Sequence, residues 1–185
     1  SKTIKIVGVH ELRPINHRIM PDRIEAGTYM VASAITRGDI TLQDLSVSDL
    51  TSVIFKLREV GIDITILNQD KLRIKMNSKP LGFKIKTMPY PGFSTDLQSA
   101  MLSLACIANG VSVINETVFE NRFLVVPELI KMGAIITTND RMAIVTGVEE
   151  LFSANVVAPD LRGGAALVLA ALAAKGESEI SSIEI

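Results

Sequence analysis

Two hydrophobic rhythms alternate along this chain. One is helical: long apolar stretches, or apolar residues three and four apart. The other is the period of two expected of half-buried strands. Three apolar stretches close on a glycine: Thr28 to Gly38, Asp96 to Gly110 and Arg162 to Gly176. Each predicts a helix with the glycine in the left-handed position that follows a helix C-terminus, and then a strand. A second kind of helix is marked by Leu50, Val53, Ile54, Leu57 and Val60, with Ser48-Asp49 placed to cap it and Gly61 to end it. Its counterpart ends at Met132-Gly133, 72 residues later. Each second helix leads into two short strands around a polar turn. The strands are 62–67 and 72–76 about Asn68-Gln69-Asp70, then 134–137 and 142–146 about Asn139-Asp140. Such spacing predicts hairpins.

The repetition organises the whole chain. Gly38 and Gly110 are 72 residues apart, and Gly110 and Gly176 are 66 apart. The implied unit is strand–helix–strand–helix–strand–strand, an α/β pattern. Two complete copies are expected, at about 17–78 and 79–150, and a third at 151–185 that stops within a strand at Ser181-Ser182-Ile183-Glu184-Ile185. Ala165 to Ala174 is apolar on nearly every side, so that helix should be buried all round. Helices inside and sheets outside would satisfy this.

Composition narrows the possibilities. Hydrophobic residues are 48% of the 185, aromatics only 4%, and Trp is absent, so the interior must be aliphatic. A net charge of -1 supplies no field to draw in nucleic acid or anionic lipid. Any anion must be held by a few placed arginines or lysines. The strongest apolar run spans ten residues, half a membrane crossing. The single cysteine, Cys106, suits a reducing cytoplasm and reads as a buried small hydrophobe. His10 and His17 are too isolated to hold a metal, and no phosphate-loop or dinucleotide glycine pattern implies a cofactor. No signal peptide is visible, and the first residue is Ser rather than Met, which implies residues upstream.

Polar clusters open the three repeated helices: Asp22-Arg23-Ile24-Glu25, Thr95-Asp96 and Asp160-Leu161-Arg162. An Asp there can cap backbone N–H groups, which stabilises by about 1 kcal/mol. If the helices run parallel, their N-termini converge on one face, which suits phosphates and carboxylates. Arg162 would lie there and Arg122 near it. An arginine opposed to the helix dipole calls for a compensating anion. A bound ligand and a structural ion pair to Asp160 or Glu120 both meet that need. The segment Glu116-Thr117-Val118-Phe119-Glu120-Asn121-Arg122-Phe123 mixes charges between apolar stretches and is costly to order unless something binds it.

Four motifs add a resemblance. They are His17 to Thr28, Pro89-Tyr90-Pro91-Gly92-Phe93-Ser94-Thr95-Asp96-Leu97-Gln98, Glu116 to Phe123, and Asp160 to Arg162. In this order and spacing, through residues 17 to 185, the chain resembles the UDP-N-acetylglucosamine enolpyruvyl transferases. The resemblance implies an inside-out α/β barrel of pseudo-threefold βαβαββ repeats, with helices central and sheets outside. Residues 1–185 would make most of one of two such domains. The implied reaction moves the enolpyruvyl group of phosphoenolpyruvate to the sugar 3-hydroxyl of UDP-N-acetylglucosamine, a cytoplasmic step of peptidoglycan synthesis. That step underlies cell wall biogenesis, cell shape and division.

In that reading Asp96 is the base and a sugar-nucleotide contact, and Val118 and Phe119 face the nucleotide. Arg122 and Arg162 hold the anionic groups of phosphoenolpyruvate, with Asp160 and Leu161 on the same wall. The partner would be the second domain of the same polypeptide, bearing the Cys or Asp loop that supplies the general acid and a Lys-Asn pair. Neither is present here, Cys106 does not match that loop, and a further family arginine would fall beyond Ile185, so residues 1–185 should not turn over alone. Two other readings share the repeat: a shikimate-pathway enolpyruvyl transferase, and a binding or assembly module without catalysis. An RNA-processing relative fits poorly with the near-neutral charge and few aromatics.

Overall fold

A computed structural model describes residues 3–184. Residues 3–22 carry no helix or strand. The helices are α1 (Arg23–Ile35), α2 (Thr51–Glu59), α3 (Gln98–Cys106), α4 (Val126–Lys131) and α5 (Leu161–Ala173). The strands are β1 (Asp39–Gln43), β2 (Asp63–Asn68), β3 (Lys71–Lys75), β4 (Lys84–Lys86), β5 (Val111–Asn115), β6 (Ile135–Asn139), β7 (Met142–Thr146), β8 (Asn155–Val157) and β9 (Glu179–Ser181).

They form three sheets, ordered β1-β3-β2, β4-β5-β7-β6 and β8-β9. The β4–β5 and β8–β9 pairs are parallel, as strands joined across a helix must be, and the other pairs are antiparallel. Both expected hairpins form, β2–β3 and β6–β7. The expected α/β class and the central packing of the helices hold: α1, α3 and α5 pack on one another. All nine residues of α3 are buried. Ala, Ser and Cys on α3 keep its girth small enough for two helices to approach.

The second unit is complete, running β4, α3, β5, α4, β6, β7. The first is not, contrary to expectation, because no strand precedes α1 among the described residues. In the third, the last strand is Glu179–Ser181 rather than 181–185; Ser182 to Glu184 are irregular, and Ile185 lies outside the described residues. The α5 helix is also not buried all round. Val168 and Leu172 are exposed, and both line the groove between α5 and α1.

Glycines end four segments with positive φ, at Gly61, Gly110, Gly133 and Gly176. Gly38 was expected to join them and does not. Arg37 takes the left-handed position instead, at φ 53°, while Gly38 N–H closes the helix onto Ser33 O at 2.7 Å. For a residue with a Cβ that conformation costs about 1–2 kcal/mol. The expected Ser48-Asp49 cap is also absent: the chain enters α2 through a 3-10 turn at Val47–Leu50, which follows Ser46 with no side-chain cap.

Candidate active site

The three helix starts use their aspartates differently. Asp22 caps α1, accepting from Ile24 N at 2.7 Å. Asp160 caps α5, accepting from Arg162 N at 2.9 Å and Gly163 N at 2.8 Å. Asp96 does not cap. Ser94 does so in its place, taking the N–H of Asp96 at 3.3 Å where a 3-10 turn (Thr95–Leu97) leads into α3. The Asp96 carboxylate is thereby released from backbone duty.

It is spent on two guanidiniums. Arg122 Nη2 donates to Asp96 Oδ1 at 2.8 Å, and Arg162 Nε stands 3.5 Å from the same oxygen. The structural partners expected from the sequence, Asp160 or Glu120, are therefore replaced by Asp96. Asp160 is occupied with the α5 backbone, and Glu120 lies exposed, 3.7 Å from Arg141. One carboxylate between two guanidiniums leaves a net positive charge, so the cluster can still take an anion. Asp22, Glu25 and Arg162 line one groove of about 420 Å³ between α1 and α5, which shows that these two helix starts share a face.

Phe119 joins the cluster through its ring, which lies 4.3 Å from the Arg122 guanidinium carbon. That cation–π contact orients the fork and shields one of its faces. Val118 is exposed beside it, and Leu161 is exposed at the first turn of α5. Asp96, Arg122, Phe119 and Arg162 thus meet. Asp160 and Leu161 adjoin Arg162 in the chain, with no side-chain contact to Asp96. Among the described residues, no group of three or more His, Cys, Asp or Glu could hold a metal ion.

Glu116 ties residues 116–119 together from within the chain. Glu116 is 1% exposed. Oε1 accepts from Thr87 Oγ1 at 2.8 Å, Val118 N at 2.7 Å and Phe119 N at 3.0 Å, and Oε2 accepts from Thr95 Oγ1 at 2.8 Å. Burial alone would raise this carboxyl. The bonds from Phe119 N–H, Thr95, Val118 N–H and Thr87 outweigh it and hold the group below the ordinary glutamate value.

Sequence reading saw the segment but missed this role. A signal was there: Ser112, Ile114 and Glu116 continue the inward alternation of β5, and Phe83, Ile85 and Thr87 that of β4. The β4–β5 register pairs Lys86 with Asn115, which sets the next residues, Thr87 and Glu116, side by side.

The family model described as EPSP synthase (3-phosphoshikimate 1-carboxyvinyltransferase) matches residues 1–185. A UDP-N-acetylglucosamine 1-carboxyvinyltransferase of Geobacter metallireducens is 50% identical over 184 residues, 99% of this chain and 44% of the relative. One from Caldanaerobacter subterraneus is 51% identical over 183 residues, with the same coverage. This chain therefore spans less than half the length of these curated relatives. Among solved structures, the enolpyruvyl transferase NikO from Streptomyces tendae superposes with a TM-score of 0.80 at 26% identity, over 90% of this chain and 40% of that one. An EPSP synthase from Acinetobacter baumannii, at 0.72 and 21% identity, shares the fold. By sequence over its full length and by architecture, the chain belongs to the EPSP synthase family of enolpyruvyl transferases.

Proposed function

We propose that residues 1–185 form one domain of a transferase that moves the enolpyruvyl group of phosphoenolpyruvate to the 3-hydroxyl of UDP-N-acetylglucosamine. The observation that carries this is the Asp96 carboxylate shared by Arg122 and Arg162, in a chain 50% identical over 184 residues to a named relative. In this reading the domain is built of units at about 17–78, 79–150 and 151–185. It works with a second domain of the same polypeptide, in the cytoplasm, and serves peptidoglycan synthesis, cell shape and cell division.

The residues suit the chemistry. Asp96 takes the proton of the sugar hydroxyl, whose oxygen then forms a bond to the central carbon of phosphoenolpyruvate. A general acid on the other domain protonates the terminal alkene carbon. The resulting tetrahedral adduct loses that carbon's proton and expels phosphate, restoring the double bond. Arg122 and Arg162 face the carboxylate and phosphate throughout, where a planar fork outperforms a lysine. A positioned base contributes about 10²–10⁴-fold. Val118 and Phe119 offer apolar surface to the nucleotide, and Asp160 and Leu161 border the same wall.

The substrate assignment is tested with the polypeptide that contains this domain and its second half. Phosphate release from phosphoenolpyruvate should depend on UDP-N-acetylglucosamine. Release that depends on 3-phosphoshikimate instead would assign the chain to the other branch of the family.

A further inference from the structure

We infer that Glu116 is a positioning residue for this site: through Thr95 and through the Val118 and Phe119 amides it holds Asp96 and Arg122 at their working separation. The inference deepens the proposed function and rests on it.

Glu116 joins three stretches of chain through one carboxylate. Thr87 immediately follows β4, Thr95 immediately precedes Asp96, and Val118 and Phe119 begin the stretch that carries Arg122. The joint is doubly braced, since Thr117 N donates to Thr87 Oγ1 at 2.8 Å and Thr117 Oγ1 donates to Thr87 O. Buried and fully engaged, Glu116 cannot itself reach a substrate. Its chemistry is specific to the position, because Oε1 meets three donors while Oε2 reaches across to the Thr95 hydroxyl. Aspartate is one methylene too short to do both, and alanine leaves two hydroxyls and two part-buried N–H groups without their acceptor. An error of about 1 Å between Asp96 and Arg122 would cost on the order of a hundredfold in rate.

The limb through Thr95 can be cut by itself. Thr95→Val removes the limb to Asp96 while keeping side-chain shape, and Thr95→Ser restores the hydroxyl. In the intact polypeptide, turning over phosphoenolpyruvate and UDP-N-acetylglucosamine, Thr95→Val should lower kcat about tenfold with little change in either KM. Thr95→Ser should recover most of that loss. Glu116→Ala, if folded, should lower kcat at least as far. A KM for UDP-N-acetylglucosamine that rises while kcat holds would make Thr95 a direct substrate contact and overturn the inference. So would wild-type kinetics in Thr95→Val. If the wild type itself fails to turn over these substrates, the functional reading falls. The brace is then decided by hydrogen exchange at the Val118 and Phe119 amides. Faster exchange in Thr95→Val than in wild type supports it, and unchanged protection overturns it.

Discussion

Asp96 and Arg122, 26 residues apart in the chain, meet at 2.8 Å because neither is needed elsewhere. Ser94 has taken over the cap of the turn that opens α3, and Glu116 fixes the strand end from which Arg122 follows. A helix-start aspartate is ordinarily consumed by backbone N–H groups, as Asp22 and Asp160 are here. Displacing that duty onto a serine two residues earlier frees a carboxylate for ion pairing with two guanidiniums.

Acid should weaken the contribution of Glu116 to stability. The Glu116 carboxyl is held low in the folded state, so an unfolded chain binds its proton at a higher pH. Its contribution is complete above the unfolded value of about 4.3 and is lost as pH falls through the lower folded value. Urea midpoints should therefore drop below about pH 4.3, and Glu116→Gln should flatten that slope. Equal slopes in the two proteins would remove Glu116 from the explanation.

The two kinds of glycine should respond differently to alanine. Gly61 sits at φ +94° with open space around it, so Gly61→Ala should cost only the left-handed strain, about 1–2 kcal/mol. Gly147 has an ordinary φ, but a Cβ there would lie 1.7 Å from Ala108 O, in backbone that cannot yield. Gly147→Ala should cost more than about 3 kcal/mol or prevent folding. Denaturation midpoints check this; similar losses at both sites would contradict it.

Cys106 is fully buried, and burial pushes its thiol up to about 12. A thiol reagent at pH 8 should therefore modify it only as the protein unfolds. Labelling much faster than global unfolding would show a local opening of α3.

Much of this architecture was legible because repetition and periodicity report it directly. The glycine spacing located the helices, and polar turn residues located the hairpins. What the sequence did not show depends on contacts between distant segments. Arg37 in place of Gly38 as the left-handed residue follows from how α1 closes onto Ser33. The cap at Ser94 rather than Asp96 was ambiguous, since either residue type can cap. The exposed face of α5 reflects what packs against it, which apolar composition does not record. Within the site, the residue types and their spacing marked Asp96, Arg122 and Arg162 as candidates. Their convergence on one oxygen, and the brace at Glu116, needed coordinates.

Residues 1–185 alone should release no phosphate from phosphoenolpyruvate with UDP-N-acetylglucosamine, because the acid for the alkene carbon belongs to the other proposed domain. A phosphate-release assay on the purified polypeptide checks this, and steady product formation would refute it.

The central claim is that Asp96 is the base of a site it shares with two guanidiniums, and the rate of Asp96→Asn in the intact polypeptide tests it most directly. Enolpyruvyl transfer should fall about 10²–10⁴-fold while the circular dichroism spectrum and cooperative melting persist. A folded Asp96→Asn protein turning over near the wild-type rate would contradict it.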